Sequence, residues 1–175
     1  MKTIATAIAA IAMTSTAAFA HVTFATPEAS QGSTYIGVLN IGHGCEGEPT
    51  LRVRVQIPEG VIAVKPVPKA GWDLEIVTGT YAATYDYYGT PLNEGPVELI
   101  WTGELDDAHF DQFSFRGKLT DGLKAGTTVY FPVIQECANG SHNWVNIPAE
   151  GQDSHDLAEP APALNIIEAD HHAHH

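Results

Sequence analysis

The chain has 175 residues, with 8 Lys plus Arg against 21 Asp plus Glu and a formal net charge of -13, so it carries no basic footprint and a nucleic-acid partner is excluded. Apolar residues at 44% give enough material for one soluble domain with a core. The same composition excludes collagen-like, disordered and polytopic membrane chains.

Residues 1–20 place a single Lys at position 2 ahead of an apolar centre of Ala, Ile and Met, then close on Ala18, Phe19 and Ala20. This is the three-part pattern of a secretory signal peptide with a small-x-small cleavage site. The apolar run is too short, and too rich in Ala and Thr, for a membrane-spanning helix. Cleavage after Ala20 predicts a periplasmic or secreted product, not an integral membrane protein, and frees the α-amine of His21. An N-terminal His offers that amine and its imidazole Nδ1 to one metal in a single chelate ring. Nitrogen pairs of this kind suit Cu(II), which stands at the top of the divalent affinity order.

After His21 the chain alternates to Ala25, turns at Pro27 and Gly32, and alternates again from Thr34 to Ile41. GHGCEGEP at 42–49 reads as a Gly-rich turn. Leu51, Val53, Val55 and Ile57 then alternate with Arg52, Arg54 and Gln56, which predicts a half-buried strand ended by Pro58 and Gly60. The segment 61–72 contains Pro66, Pro68 and Gly71 and is predicted as loop or edge. Strands are predicted over 73–78, 79–85, 97–102, 110–119, 127–134 and 141–147, about nine in all, separated by turn signals at sandwich spacing. From Pro148 onward Ala, Pro and acids dominate, so residues 151–175 read as an acidic, His-rich tail behind a domain at 21–150. Within that tail Leu164, Ile166 and Ile167 could dock as a last short strand. Its terminal His171, His172, His174 and His175 could capture metal without a fold.

Cys45 and Cys137 are the only cysteines, and in an exported chain an even count reads as one disulfide. A thiolate copper site is the alternative, although no CxxC and no Cys-His-Met loop is present. Both methionines, Met1 and Met13, fall within the leader, which excludes a thioether ligand after cleavage.

Several segments in order resemble the YcnI-like family of exported copper-binding domains. They are HVTF with Pro27 and Gly32, HGCEGEPTLRVRVQIPEG at 43–60, PKAGW at 68–72, FDQFSFRGKL at 110–119 and YFPVIQECANGSHNW at 130–144. The resemblance implies an all-β, antiparallel Greek-key β-sandwich, immunoglobulin- or cupredoxin-like. It also implies one Cu(II) held in a monohistidine brace by the N-terminal His, a carboxylate and a Trp, and a metallochaperone role in copper homeostasis. Carried onto this chain, the brace His is His21 and the Trp is Trp144. Where the family commonly has Glu ahead of the second Phe of an FxEF-like segment, this chain has Gln112. The side-chain oxygen candidates are therefore Gln112 for position, the adjacent Asp111 for charge, and Glu75 beyond Trp72. Asp111 and Gln112 should face opposite sides of a strand.

Trp144 would act through its ring face, because an indole nitrogen keeps its proton. Trp72 and Trp101 read as packing residues. His43, His109 and His142 are further imidazole candidates, and His142 shares strand phase with Trp144. The reading is a copper carrier or buffer serving another copper-handling protein, not an enzyme. One alternative is a copper-dependent polysaccharide monooxygenase, which would add a second brace His and a broad substrate face. Another is a metal-independent immunoglobulin-like interaction module.

Overall fold

The computed structural model describes residues 21–169. The signal-peptide reading of residues 1–20 and the tail histidines His171, His172, His174 and His175 lie outside the described residues. Two principal sheets and a small third one account for twelve strands among those described. Strands β1 (Thr23–Phe24), β3 (Thr34–Ile41), β8 (Asp111–Leu119) and β5 (Val61–Pro66) form the first sheet in that spatial order. The second sheet runs β11 (Ser141–Trp144), β10 (Val133–Cys137), β4 (Thr50–Gln56), β7 (Thr90–Leu105) and β6 (Asp73–Tyr87). The third holds β2 (Glu28–Ser30), β12 (Ala163–Ile167) and β9 (Thr128–Tyr130).

Alternation along β4 shows why these segments pair as they do. Val53 and Val55 are buried, while Arg52 and Arg54 stand on the outer face against Glu136 and Glu98. The links β3–β4, β4–β5 and β7–β8 each cross between the principal sheets, so the chain wraps one core as a sandwich. That core gathers Leu39, Phe113 and Phe115 from the first sheet with Val53, Leu99, Trp101 and Trp144 from the second. Trp101 is fully buried and donates its indole N–H to the Val67 carbonyl at 3.2 Å, and Trp72 packs edge-on against Phe113, so both are packing residues.

Residues 61–66 take the edge position that was one of the two readings of this Pro-containing segment, with Val61, Ile62 and Val64 buried and the pairing with β8 shifting between Ile62 and Lys65. Three departures from the sequence reading have physical causes. The predicted strands at 73–78 and 79–85 are one long strand that passes straight through Gly79. The predicted strand at 127–134 is broken at Phe131 and Pro132, where the chain passes from the third sheet to the second. The folded unit also continues past residue 150, where the sequence reading began the tail. Leu164 and Ile166 are buried, and β12 pairs parallel with β2 and antiparallel with β9.

The β6–β7 hairpin is fastened back to the sandwich by Glu59, whose Oε1 accepts from the Tyr85 hydroxyl at 2.6 Å and from the Ala82 N–H. The carboxylate beside it pushes the Tyr85 phenol up to about 12. Because the folded-state value is raised, the stabilisation it reports is complete below about pH 10 and is lost as pH rises from 10 towards 12. Tyr85→Phe should remove one phenol from the late part of an ultraviolet phenolate titration. An unchanged late phase would show that the Glu59 contact does not persist in solution.

Candidate metal centre

His21 immediately precedes β1, where Val22 and Phe24 are buried and Thr23 and Phe24 pair with Asn40 and Leu39 of β3. The first residue of the sandwich is therefore held by two apolar anchors just behind it. Its imidazole meets Trp144 edge-on, with ring centroids 5.8 Å apart. Trp144 ends β11 at the edge of the other principal sheet and is only 1% exposed. Its inward orientation follows from register, since Trp144, Val133, Val55 and Leu99 occupy one cross-strand row and the last three are fully buried.

The indole is fixed by a residue the sequence reading missed. Trp144 Nε1–H donates to Gln135 Oε1 at 3.2 Å, and Gln135 Nε2 donates to the His43 carbonyl at 2.6 Å and to Thr50 Oγ1 at 2.7 Å. This buried amide leaves the indole N–H spoken for, so only the ring face is available to a cation. The signal was present in phase alone, because Gln135 shares the strand phase of Val133 and Cys137 and not that of Ile134 and Glu136.

Around Trp144 the imidazoles continue. His142, two residues earlier on the same strand, lies 5.1 Å from the indole, and His43 meets His142 edge-on at 5.8 Å. His142 Nδ1 lies 2.9 Å from Glu159 Oε1, and the other carboxylate oxygen of Glu159 accepts the Asn143 N–H. Glu159 comes from the segment read as tail and carried no local signal.

His43 sits on a loop that is clamped twice. Cys45 and Cys137 form a disulfide with a Cα–Cα distance of 6.0 Å, which removes the thiolate copper site among the described residues. Glu48 accepts the Asn139 backbone N–H at 2.8 Å and the Asn139 amide at 2.6 Å, and these donors hold its carboxyl below the usual carboxylate range. Between the clamps, Glu46 and Gly47 both take positive φ, 53° and 89°, in a tight turn closed by reciprocal Cys45–Glu48 backbone bonds. Gly44 is required by close approach, since a Cβ there would stand 1.8 Å from the Glu48 carbonyl oxygen.

None of the oxygen candidates is hydrogen-bonded to His21 or Trp144 among the described residues. Asp111 is engaged by Lys69 Nζ at 2.6 Å. Gln112 lies in the outward row Thr23–Asn40–Gln112 and donates to Asn40 Oδ1 at 2.9 Å. Glu75 is on β6, at the opposite edge of the sheet from β11, which at strand spacing is roughly 19 Å away. It also belongs to the row of Arg54 and Ile134, on the other face from Trp144. His109 lies in the turn before β8 and donates its backbone N–H to Asp106. Among the described residues, no three His, Cys, Asp or Glu side chains are drawn together around one point.

An immunoglobulin-like β-sandwich with an imidazole–indole cluster at one edge is the class these features define. The chain belongs to the DUF1775 family, the YcnI-like domain, whose family model is described as a domain of unknown function and matches residues 21–166. The match includes β12 and so agrees with a folded unit that runs beyond residue 150. The chain is similar to an uncharacterized protein from Nocardia farcinica, whose crystal structure is described as revealing an immunoglobulin-like fold. The two share 22% identity at a TM-score of 0.59, over 84% of this chain and 98% of that one. No curated protein matches the chain.

Proposed function

We propose that the protein is an exported copper carrier that holds Cu(II) through the α-amine and imidazole of His21, beside the face of Trp144. The observation that carries this reading is the approach of the His21 ring to Trp144 from the opposite sheet. The donor chemistry agrees with it. Because side chains alone provide no three-donor cluster among the described residues, a free amine supplies what the fold does not. An indole face near a cation contributes roughly 0.5–2 kcal/mol and shields one coordination position. Since Asp111 is taken by Lys69 and Glu75 lies far off, the remaining positions fall to the Gln112 amide oxygen, whose own Nε2 is held by Asn40, to water or to a receiving partner.

Export is supported by the disulfide, which persists in oxidising compartments. No helix among the described residues is long and apolar enough to cross a membrane. A carrier needs no catalytic group, and the role proposed is delivery or buffering for another copper-handling protein. The test is electron paramagnetic resonance of the processed chain with one equivalent of Cu(II). His21→Ala should abolish the nitrogen-rich signal, and Trp144→Phe should weaken binding about two- to thirtyfold while retaining the nitrogen hyperfine pattern. A spectrum unaffected by His21→Ala would move the copper off this residue, and a processed chain that shows no bound-copper signal at all would favour the metal-independent interaction module, for which exposed Phe110, Val145 and Ile147 offer apolar surface.

A further inference from the structure

We infer that His43 and His142 form a second metal station, a two-imidazole site suited to monovalent copper and independent of the chain terminus. Tautomers decide which ring nitrogens are open to a metal. His43 Nδ1 lies 2.6 Å from the Gly44 carbonyl oxygen, which can only accept, so this nitrogen carries the proton and Nε2 keeps its lone pair. His142 Nδ1 faces the Glu159 carboxylate at 2.9 Å, an acceptor again, and its Nε2 is set free in the same way. A backbone carbonyl behind one ring and a carboxylate behind the other is the arrangement that orients metal-binding imidazoles and raises their basicity. Glu159 is itself oriented by the Asn143 N–H. Neither Nε2 has a hydrogen-bond partner among the described residues.

Spacing fits the same reading. The two ring centroids are 5.8 Å apart, and metal–nitrogen bonds of about 2.0 Å place the centroids of two imidazoles about 6 Å apart across a shared ion. Only two imidazoles meet here, since no third His, Cys, Asp or Glu joins them among the described residues. Structural Zn(II) takes four ligands and is poorly served by a pair, whereas monovalent copper, with a filled d shell, is satisfied by two nitrogens in line. The supports are rigid as well. The disulfide and the Glu48–Asn139 clamp fix the His43 loop to the β10–β11 hairpin, and the hairpin carries His142. The two stations are neighbours, because the Trp144 indole lies beside both His21 and His142, but none of the second station's donors is the α-amine, so their donor sets differ and each can fail alone.

The experiment uses the processed chain with its α-amine acetylated and with His171, His172, His174 and His175 changed to Asn, so that neither the terminus nor the tail contributes. Cu(I) is supplied anaerobically in competition with a bicinchoninate chelator. One equivalent is expected to bind, with His43→Asn or His142→Asn weakening it at least tenfold and Glu159→Gln weakening it about ten- to hundredfold. In the folded parent protein, long-range proton–nitrogen spectra should show the Nε2 resonances of His43 and His142 moving together on Cu(I) addition, a readout that does not depend on any variant folding. Failure of the acetylated protein to bind Cu(I), or Nε2 resonances that stay in place, would overturn the inference. Loss of Cu(II) binding on acetylation with Cu(I) binding retained separates the two stations.

Discussion

Acetylating the α-amine of the processed chain, or leaving Ala20 attached, should lower Cu(II) affinity by at least about a hundredfold, which corresponds to about 2.7 kcal/mol. The reason is ring closure. His21 presents two nitrogens on one residue, so once the imidazole is engaged the amine meets the same ion at a high effective concentration. Converted to an amide, that nitrogen has no accessible lone pair, and one imidazole beside an indole face remains. The same chemistry fixes a pH signature. An α-amine titrates near 8, and below that value each unit of pH costs about tenfold in affinity, because a proton must be displaced for the metal to bind. The acetylated chain should lack this component of the slope. Calorimetric titration of both forms across pH 6 to 9 measures it, and equal affinities with equal slopes would remove His21 as the anchor.

Replacing both members of the disulfide, Cys45→Ala with Cys137→Ala, should produce the largest loss of stability. The bond closes a separation of 92 residues, for which chain entropy alone assigns about 4.5 kcal/mol. At roughly 2–4 °C per kcal/mol for a domain of this size, the unfolding midpoint should fall by about 9–18 °C in a calorimetric scan. A fall below about 3 °C would mean that the unfolded chain is already constrained elsewhere. The surviving clamp makes the variant sensitive to acid. Glu48 is held below the ordinary carboxylate range by the Asn139 donors, so its contribution is present above that range and is lost as pH falls from it through the lower folded-state value. The loop without its disulfide should therefore loosen first at low pH, with His43 on it.

Much of the sandwich was legible in alternation. Val53 and Val55 face inward with Arg52 and Arg54 outside, as the two-residue period requires. Where tertiary contacts override local signals, the reading stopped short. Pro66 left loop and edge strand both open, and only the pairing with β8, which slips where Ala63 takes a φ of 50°, decides for the edge. At Phe131 and Pro132 a continuous apolar run changes sheets, and no period marks a change of partner. The Ala- and Pro-rich stretch before β12 resembled a tail because its partners, β2 and β9, lie far away in sequence.

The site divided along the same line. His21 was singled out by the cleavage signal that frees its amine and Trp144 by the family resemblance, and their side chains do meet. The oxygen candidates were chosen by position in sequence, and the fold commits Asp111 to Lys69, turns Gln112 outward and carries Glu75 to the far edge. Gln135 and Glu159 escaped notice because each matters only through what it touches, the Trp144 indole and the His142 ring.

The parallel pairing of β12 with β2 has a practical consequence for handling the molecule. Asn165 stands beside Glu28 and Ile167 beside Ser30, so this last strand runs in the direction that leads away from His21. A reporter or affinity handle joined at the carboxyl end should therefore leave the opening histidine unencumbered, whereas one joined in front of it would cap the nitrogen that the proposed carrier depends on.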